Sequence, residues 1–93
     1  LYERVLRAMR DCVRVGRYVM TTHADEEMTA DGLTVFDVEH VLLSGRIVER
    51  QRDREWGGWK HRLRGRLPGG EELEVVWKIG ARKEAVIITV YKA

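Results

Sequence analysis

The sequence is nearly without cysteine. Cys12 stands alone, so no intrachain disulfide is possible and no cysteine pair is available for a zinc site. His23, His40 and His61 are scattered, and Asp25, Glu26 and Glu27 beside His23 lack the spacing of metal ligands, so neither a metal nor a cofactor is expected. There is no glycine-rich phosphate loop and no dinucleotide fingerprint. No apolar run approaches the ~20 residues a membrane-spanning helix needs, and nothing resembles a signal peptide. A lone thiol without an export signal suits a soluble protein of the reducing cytoplasm. Repeats and low-complexity tracts are missing too. So is an excess of one charge: 17 Lys and Arg face 15 Asp and Glu, a net +2, which by itself does not argue for a nucleic-acid partner.

What is present describes one globular domain of 93 residues, 44% apolar and 34% charged. A chain of this length buries only roughly 60–65% of its unfolded surface, which favours a shallow surface site over a deep pocket. It opens on Leu1 rather than Met, as an excised piece of a longer protein would.

The first half has a helical period. Tyr2, Val5, Leu6, Met9, Cys12 and Val13 form one apolar stripe over residues 2–15, which Gly16 ends. Residues 17–21 read as a short strand. Thr21 or Thr22 is placed to cap a short acidic helix that stops at Gly32. Thr34, with Asp37 three residues on, is a near capping box for a helix over 35–43 that buries Val35, Val38, Val41 and Leu42. The second and third helices are expected to form a tight hairpin.

After Gly45 the period falls to two. Residues 46–50 read as a strand, with Ile47 and Glu49 opposed to Val48. Residues 60–67 alternate strictly, Lys60, Arg62, Arg64 and Arg66 on one face and His61, Leu63, Gly65 and Leu67 on the other. Pro68, the only proline, begins a turn with Gly69 and Gly70. Residues 72–79 and 86–91 alternate again. The fold predicted is α+β: N-terminal helices (1–45) on one face of a four- to five-stranded, mainly antiparallel sheet (46–92). Leu63, Leu67, Leu73, Val75, Trp77, Ile79, Val86, Ile88 and Val90 are the expected core. Lys60, Arg62, Arg64, Arg66, Glu74, Ile87, Thr89 and Tyr91 are expected on the open face.

Charge is concentrated rather than abundant. Residues 50–66 hold Arg50, Arg52, Arg54, Lys60, Arg62, Arg64 and Arg66 against Asp53 and Glu55, which leaves the rest of the chain net acidic. Four cations on alternate positions of one strand span roughly 20 Å and could follow a phosphate backbone. The same alternation also describes an ordinary solvated strand, with Arg62 or Arg64 neutralised by Glu74 across the sheet. The alternation fits both.

Metal-free RNA cleavage needs a base for the 2′-hydroxyl, a cation for the pentavalent phosphate and an acid for the leaving 5′-oxygen. Histidine suits the proton transfers and arginine the phosphate. The candidates are His23 at a helix start, Arg62 and Arg64 on the basic strand, and Thr89 and Tyr91 in the last strand, with Arg54, Lys60, His61, Arg66, Trp56 and Trp59 as RNA contacts. Each has an alternative: His61 alternates onto the apolar side and fits a core histidine unless a bulge after Gly58 turns it out, His23 fits a plain surface residue, and Trp56 and Trp59 fit either base stacking or cover for the sheet end.

Several of these pieces occur together in a recognisable order. Thr22-His23-Ala24-Asp25-Glu26-Glu27-Met28 is followed by Gly32-Leu33-Thr34, Asp37-Val38-Glu39 and Leu43-Ser44-Gly45-Arg46-Ile47-Val48-Glu49, and the chain closes on Val86-Ile87-Ile88-Thr89-Val90-Tyr91. This resembles the bacterial family called domain of unknown function 4258, over roughly residues 15–92. The resemblance implies the fold of RelE-type and barnase-type ribonucleases, many of them toxins. It places the family histidine on His23 and the closing threonine and tyrosine on Thr89 and Tyr91. One position departs: where such proteins often carry an arginine four residues after the histidine, this chain has Glu27. Three functions follow as expectations: a toxin-like, metal-independent endoribonuclease, a non-catalytic RNA-binding module, and an adapter for an antitoxin-like protein partner.

Overall fold

The computed structural model describes all 93 residues. The amphipathic stripe forms α1 (Glu3–Arg14), which buries Met9, Cys12 and Val13. A short strand β1 (Tyr18–Met20) leads into α2 (Thr22–Ala30), whose N-cap Thr21 accepts a hydrogen bond from the Ala24 N–H at 3.1 Å. Gly16 and Gly32 follow the first two helices in the left-handed region, at φ +76° and +68°, where a side chain would be strained. α3 (Val35–Ser44) starts in a complete capping box: Asp37 N–H donates to Thr34 Oγ1 at 3.2 Å and Thr34 N–H to Asp37 Oδ2 at 2.9 Å.

Four longer strands follow, β2 (Arg46–Arg52), β3 (Trp59–Arg66), β4 (Glu72–Ile79) and β5 (Ala85–Lys92). The sheet order is β1-β5-β4-β3-β2, antiparallel except that β1 lies parallel to β5. The α+β class, the mainly antiparallel sheet and the short strand near residues 17–21 agree with the sequence reading, and only the parallel pairing of β1 with β5 was outside it. The helical hairpin does not form. α3 packs on β3, β4 and α1, whereas α2 packs against β5.

β1 pairs with only the first residues of β5, from Tyr18 beside Ala85 to Met20 beside Ile87. Beyond them α2 takes over the edge: Thr21 Oγ1 donates to the Ile88 carbonyl at 3.2 Å, and the Val90 N–H donates to Glu27 Oε1 at 3.0 Å. An exposed strand edge is thereby closed by a helix.

α1 and α3 cover one face of the sheet, over Leu63, Leu73, Val75, Trp77, Ile87 and Val90. Two irregularities correct the simple alternation. In β5 the register slips by one residue, Trp77 facing Ile87 but Val76 facing Thr89, so Ile88 is left unpaired as a bulge. Ala85 and Ile87 therefore join the core, and Val86 and Ile88, expected inside, are only half-buried. In β2 a slip at Val48 sets Ile47 opposite Leu63 and Glu49 opposite Arg62, so Ile47 and Glu49 lie on different faces. α3 approaches β3 at Gly45 and Gly65. A Cβ on Gly45 would lie 2.5 Å from the Arg64 carbonyl oxygen, and one on Gly65 would lie 2.9 Å from Val41 Cγ1.

Candidate RNA-binding face and cleft

The face away from α1 and α3 is crossed by rows of side chains. Arg64, Glu74 and Tyr91 stand side by side on β3, β4 and β5, and Glu49, Arg62, Val76 and Thr89 form the next row. Glu74 is the hub. It accepts from Arg62 Nη1 at 2.9 Å, from Arg64 Nε at 2.7 Å and from the Tyr91 hydroxyl, and Arg62 Nε also donates to Glu49 at 3.1 Å. Burial alone would raise the Glu74 pKa, but the hydrogen bonds from Tyr91, Arg62 and Arg64 outweigh it and hold it down at about 2. The hydrogen bond to Glu74, then burial, raises the Tyr91 pKa, so Tyr91 serves as a neutral donor. Much of the basic comb is thus already neutralised within the sheet. Of its three arginines Arg66 is the least engaged, 3.7 Å from Glu72 and exposed.

His23 lies elsewhere on the same side. It sits in the first turn of α2, 67% exposed, with Nε2 3.2 Å from Glu27 Oε1, the oxygen that also accepts the Val90 N–H. Glu27 is therefore held by the sheet and steadies the imidazole one helical turn away. The residue read as a departure becomes a partner of the histidine.

His23 and Thr21 form one wall of a cleft of about 340 Å³ whose floor is Val86 and Ile88 and whose other wall is Lys60, Lys78, Asp53, Glu55 and Trp56. Trp56 is 80% exposed at the tip of the β2–β3 loop. That loop is tied down by buried Asp53, which accepts from Lys78 Nζ at 2.7 Å and from the Glu55 and Trp56 N–H groups at 3.1 Å each. The hydrogen bond from Lys78, then that from the Trp56 N–H, lowers the Asp53 pKa. Lys78 also donates to the Gly57 carbonyl at 2.8 Å, so its charge is spent on the loop, whereas Lys60 has no carboxylate partner within 4.0 Å. No three His, Cys, Asp or Glu side chains converge in a way that could hold a metal ion.

A family described as a domain of unknown function, DUF4258, matches residues 20–92. The chain belongs to the DUF4258 family. No curated protein and no solved structure gives a match. The DUF4258 match takes in His23, Glu27 and the whole of β2 to β5, and leaves α1 before it.

Within the DUF4258 domain all the sequence-predicted residues but Arg54 and Arg66 fall into three groups. His23, Lys60 and Trp56 share the cleft. Arg62, Arg64 and Tyr91 share Glu74, with Thr89 across Val76 from Arg62. His61 and Trp59 belong to the helix side. His61 is 5% exposed and stacked on Trp77 at 4.7 Å, so no bulge turns it onto the basic face, and Trp59 lies under Arg50, whose Cζ is 4.0 Å from the ring centroid. Arg54 lines the outside of the β2–β3 loop with Gln51 and Arg52. The sequence reading missed Glu27, Asp53 and Lys78 as site-builders. The i,i+4 spacing of His23 and Glu27 carried the first signal, and Asp53 three residues before Trp56 carried the second.

Proposed function

We propose that this DUF4258 domain is a metal-independent, toxin-like endoribonuclease that cleaves single-stranded RNA by transfer to the 2′-hydroxyl. The single observation that carries the reading is His23, held by Glu27, at the mouth of a cleft that also contains the unpaired cation Lys60 and the exposed ring of Trp56. The helices on one face of a mainly antiparallel sheet, with the other face open and basic, support grouping the fold with RelE-like and barnase-like ribonucleases.

In this mechanism His23 takes the 2′-hydroxyl proton, and the freed oxygen attacks the adjacent phosphorus. The 2′-oxygen–phosphorus bond forms, the phosphorus–5′-oxygen bond breaks, and the leaving 5′-oxygen takes a proton from solvent. The product is a 2′,3′-cyclic phosphate. Glu27 stabilises the imidazolium that forms, Lys60 faces the charge on the pentavalent phosphate, and Trp56 stacks an unpaired base. Arg62 and Arg64, positioned by Glu74, guide the strand rather than take part in proton transfer.

The test is cleavage of a mixed RNA pool in EDTA. Wild type is expected to leave 2′,3′-cyclic or 3′-phosphate ends, and His23→Ala and Lys60→Ala are each expected to lower kcat ~100-fold. No cleavage at protein concentrations well above any contaminant overturns the enzymatic reading. The second reading, an RNA-binding module without turnover, draws on the pairing of Arg62 and Arg64 with Glu74 and Glu49, which keeps both guanidinium groups from a reacting phosphate and leaves Lys60, Arg66 and Trp56 as the RNA contacts. It predicts salt-sensitive RNA affinity with intact RNA recovered.

A further inference from the structure

The helix-covered side of the sheet carries a separate cleft, of about 360 Å³, where the start of α1 meets β2 and β3. Tyr2, Arg4, Arg50, Trp59, His61 and Ile79 line it, and no carboxylate is among its lining residues. The two guanidinium groups therefore give it an uncompensated positive potential. Arg50 is stacked on Trp59, with its Cζ 4.0 Å from the ring centroid. Stacking occupies one face of the guanidinium and leaves its N–H edges free to grip two acceptor oxygens.

His61 adds a second, independent observation. It is 5% exposed, stacked on Trp77 and met edge-on by Tyr2 at 6.2 Å, yet its Nδ1 has no hydrogen-bond partner. A buried polar nitrogen without a partner is costly and uncommon in a native fold. Burial, then the Arg50 charge, lowers the His61 pKa, which favours the neutral ring, with one nitrogen a donor and the other an acceptor.

We propose that this cleft binds a planar aromatic ring that carries an anionic group, the chemistry of a nucleoside monophosphate. The ring lies along Trp59, Tyr2 and His61, the anion meets Arg50 and Arg4, and a polar edge of the ligand meets the imidazole. Ring and anion are both required: cations without a carboxylate select the charge, and the aromatic walls select the plane. The cleft lies across the sheet from His23, and the proposal does not depend on RNA cleavage.

AMP, adenosine and inorganic phosphate are titrated separately into the protein, followed by tryptophan fluorescence and by the NMR signals of the His61 ring. AMP is expected to shift both, with adenosine and phosphate at least tenfold weaker. Arg50→Ala is expected to weaken AMP at least tenfold. His61→Phe, which keeps the stack and deletes both nitrogens, is expected to weaken it several-fold, and Arg14→Ala not at all. A 5′-phosphorylated oligonucleotide that binds through the same residues more tightly than AMP assigns the ligand to an RNA end, and a weaker one assigns it to a free nucleotide; both support the proposal. It is overturned if phosphate alone matches AMP, if Arg50→Ala binds AMP as wild type does, or if AMP moves the His23 signals and not those of His61.

Discussion

Glu74 shows how one side chain changes the meaning of its neighbours. The alternation of β3 is legible as a row of cations, and the neighbouring carboxylate of β4 is legible as a cross-strand partner. What a row of residues does not reveal is that Arg62, Arg64 and Tyr91 all converge on that carboxylate and bury it to 2% exposure. Its pKa, depressed to about 2, makes the network a source of stability that is fully present above the ordinary carboxylate range near 4.5 and is lost as pH falls toward about 2. Glu74→Gln is expected to cost roughly 1–3 kcal/mol at pH 7, with charge-assisted hydrogen bonds replaced by weaker ones. Urea denaturation followed across pH 7 to 2 by circular dichroism checks this. The gap between wild type and Glu74→Gln should narrow as pH drops below about 4.5, and a gap that stays constant with pH would refute the assignment.

Helix and strand ends were the most legible elements, because caps are local. Thr34 and Asp37 sit three residues apart and find each other without help from the rest of the chain. The seam between α3 and β3 is different. Gly45 ends α3, and its second role, room for the Arg64 carbonyl, depends on a strand some twenty residues later. Arg10 is a related case: its Nε donates to the Leu42 carbonyl at 3.0 Å and its Nη2 to the Gly45 carbonyl at 2.7 Å, so α1 satisfies the C-terminal end of α3. Gly45→Ala is expected to destabilise by about 1–3 kcal/mol, because the atom it meets is backbone and cannot rotate away. At ~4–8 °C per kcal/mol for a domain of this size, the melting temperature should fall by about 4–24 °C. An unchanged melting temperature would show that α3 can move off the strand at no cost.

Taken as a whole, the molecule has one face covered by α1 and α3 and one open face, and α2 closes the β5 edge beyond β1. That placement brings His23 near the β2–β3 loop although some thirty residues separate them. No helix is long and apolar enough to cross a membrane. If RNA lies across the open face, its binding constant should fall with salt, with a log–log slope of about −0.7 for each phosphate neutralised on a single strand. Lys60→Ala and Arg66→Ala should each flatten that slope by roughly 0.7, and Arg7→Ala, at an exposed position of α1 across the sheet, should leave it unchanged. Measurements of RNA affinity between low and moderate salt decide the matter: a slope indifferent to Lys60 and Arg66 puts the RNA on another surface.

The sequence by itself determined the elements, their caps, the two faces of β3 and the family, since periodicity, capping and short motifs depend on residues close along the chain. Only the tertiary structure decided that β1 lies parallel beside β5 and where β2 and β5 slip by a residue, and hence that Ile87 is inside and Ile88 outside; that no bulge turns His61 out was also settled there. It also made Glu27, 63 positions from Val90, both an edge partner for β5 and a support for His23. A one-residue slip reverses every side chain beyond it, and the choice is made by packing against distant segments, which no local pattern records.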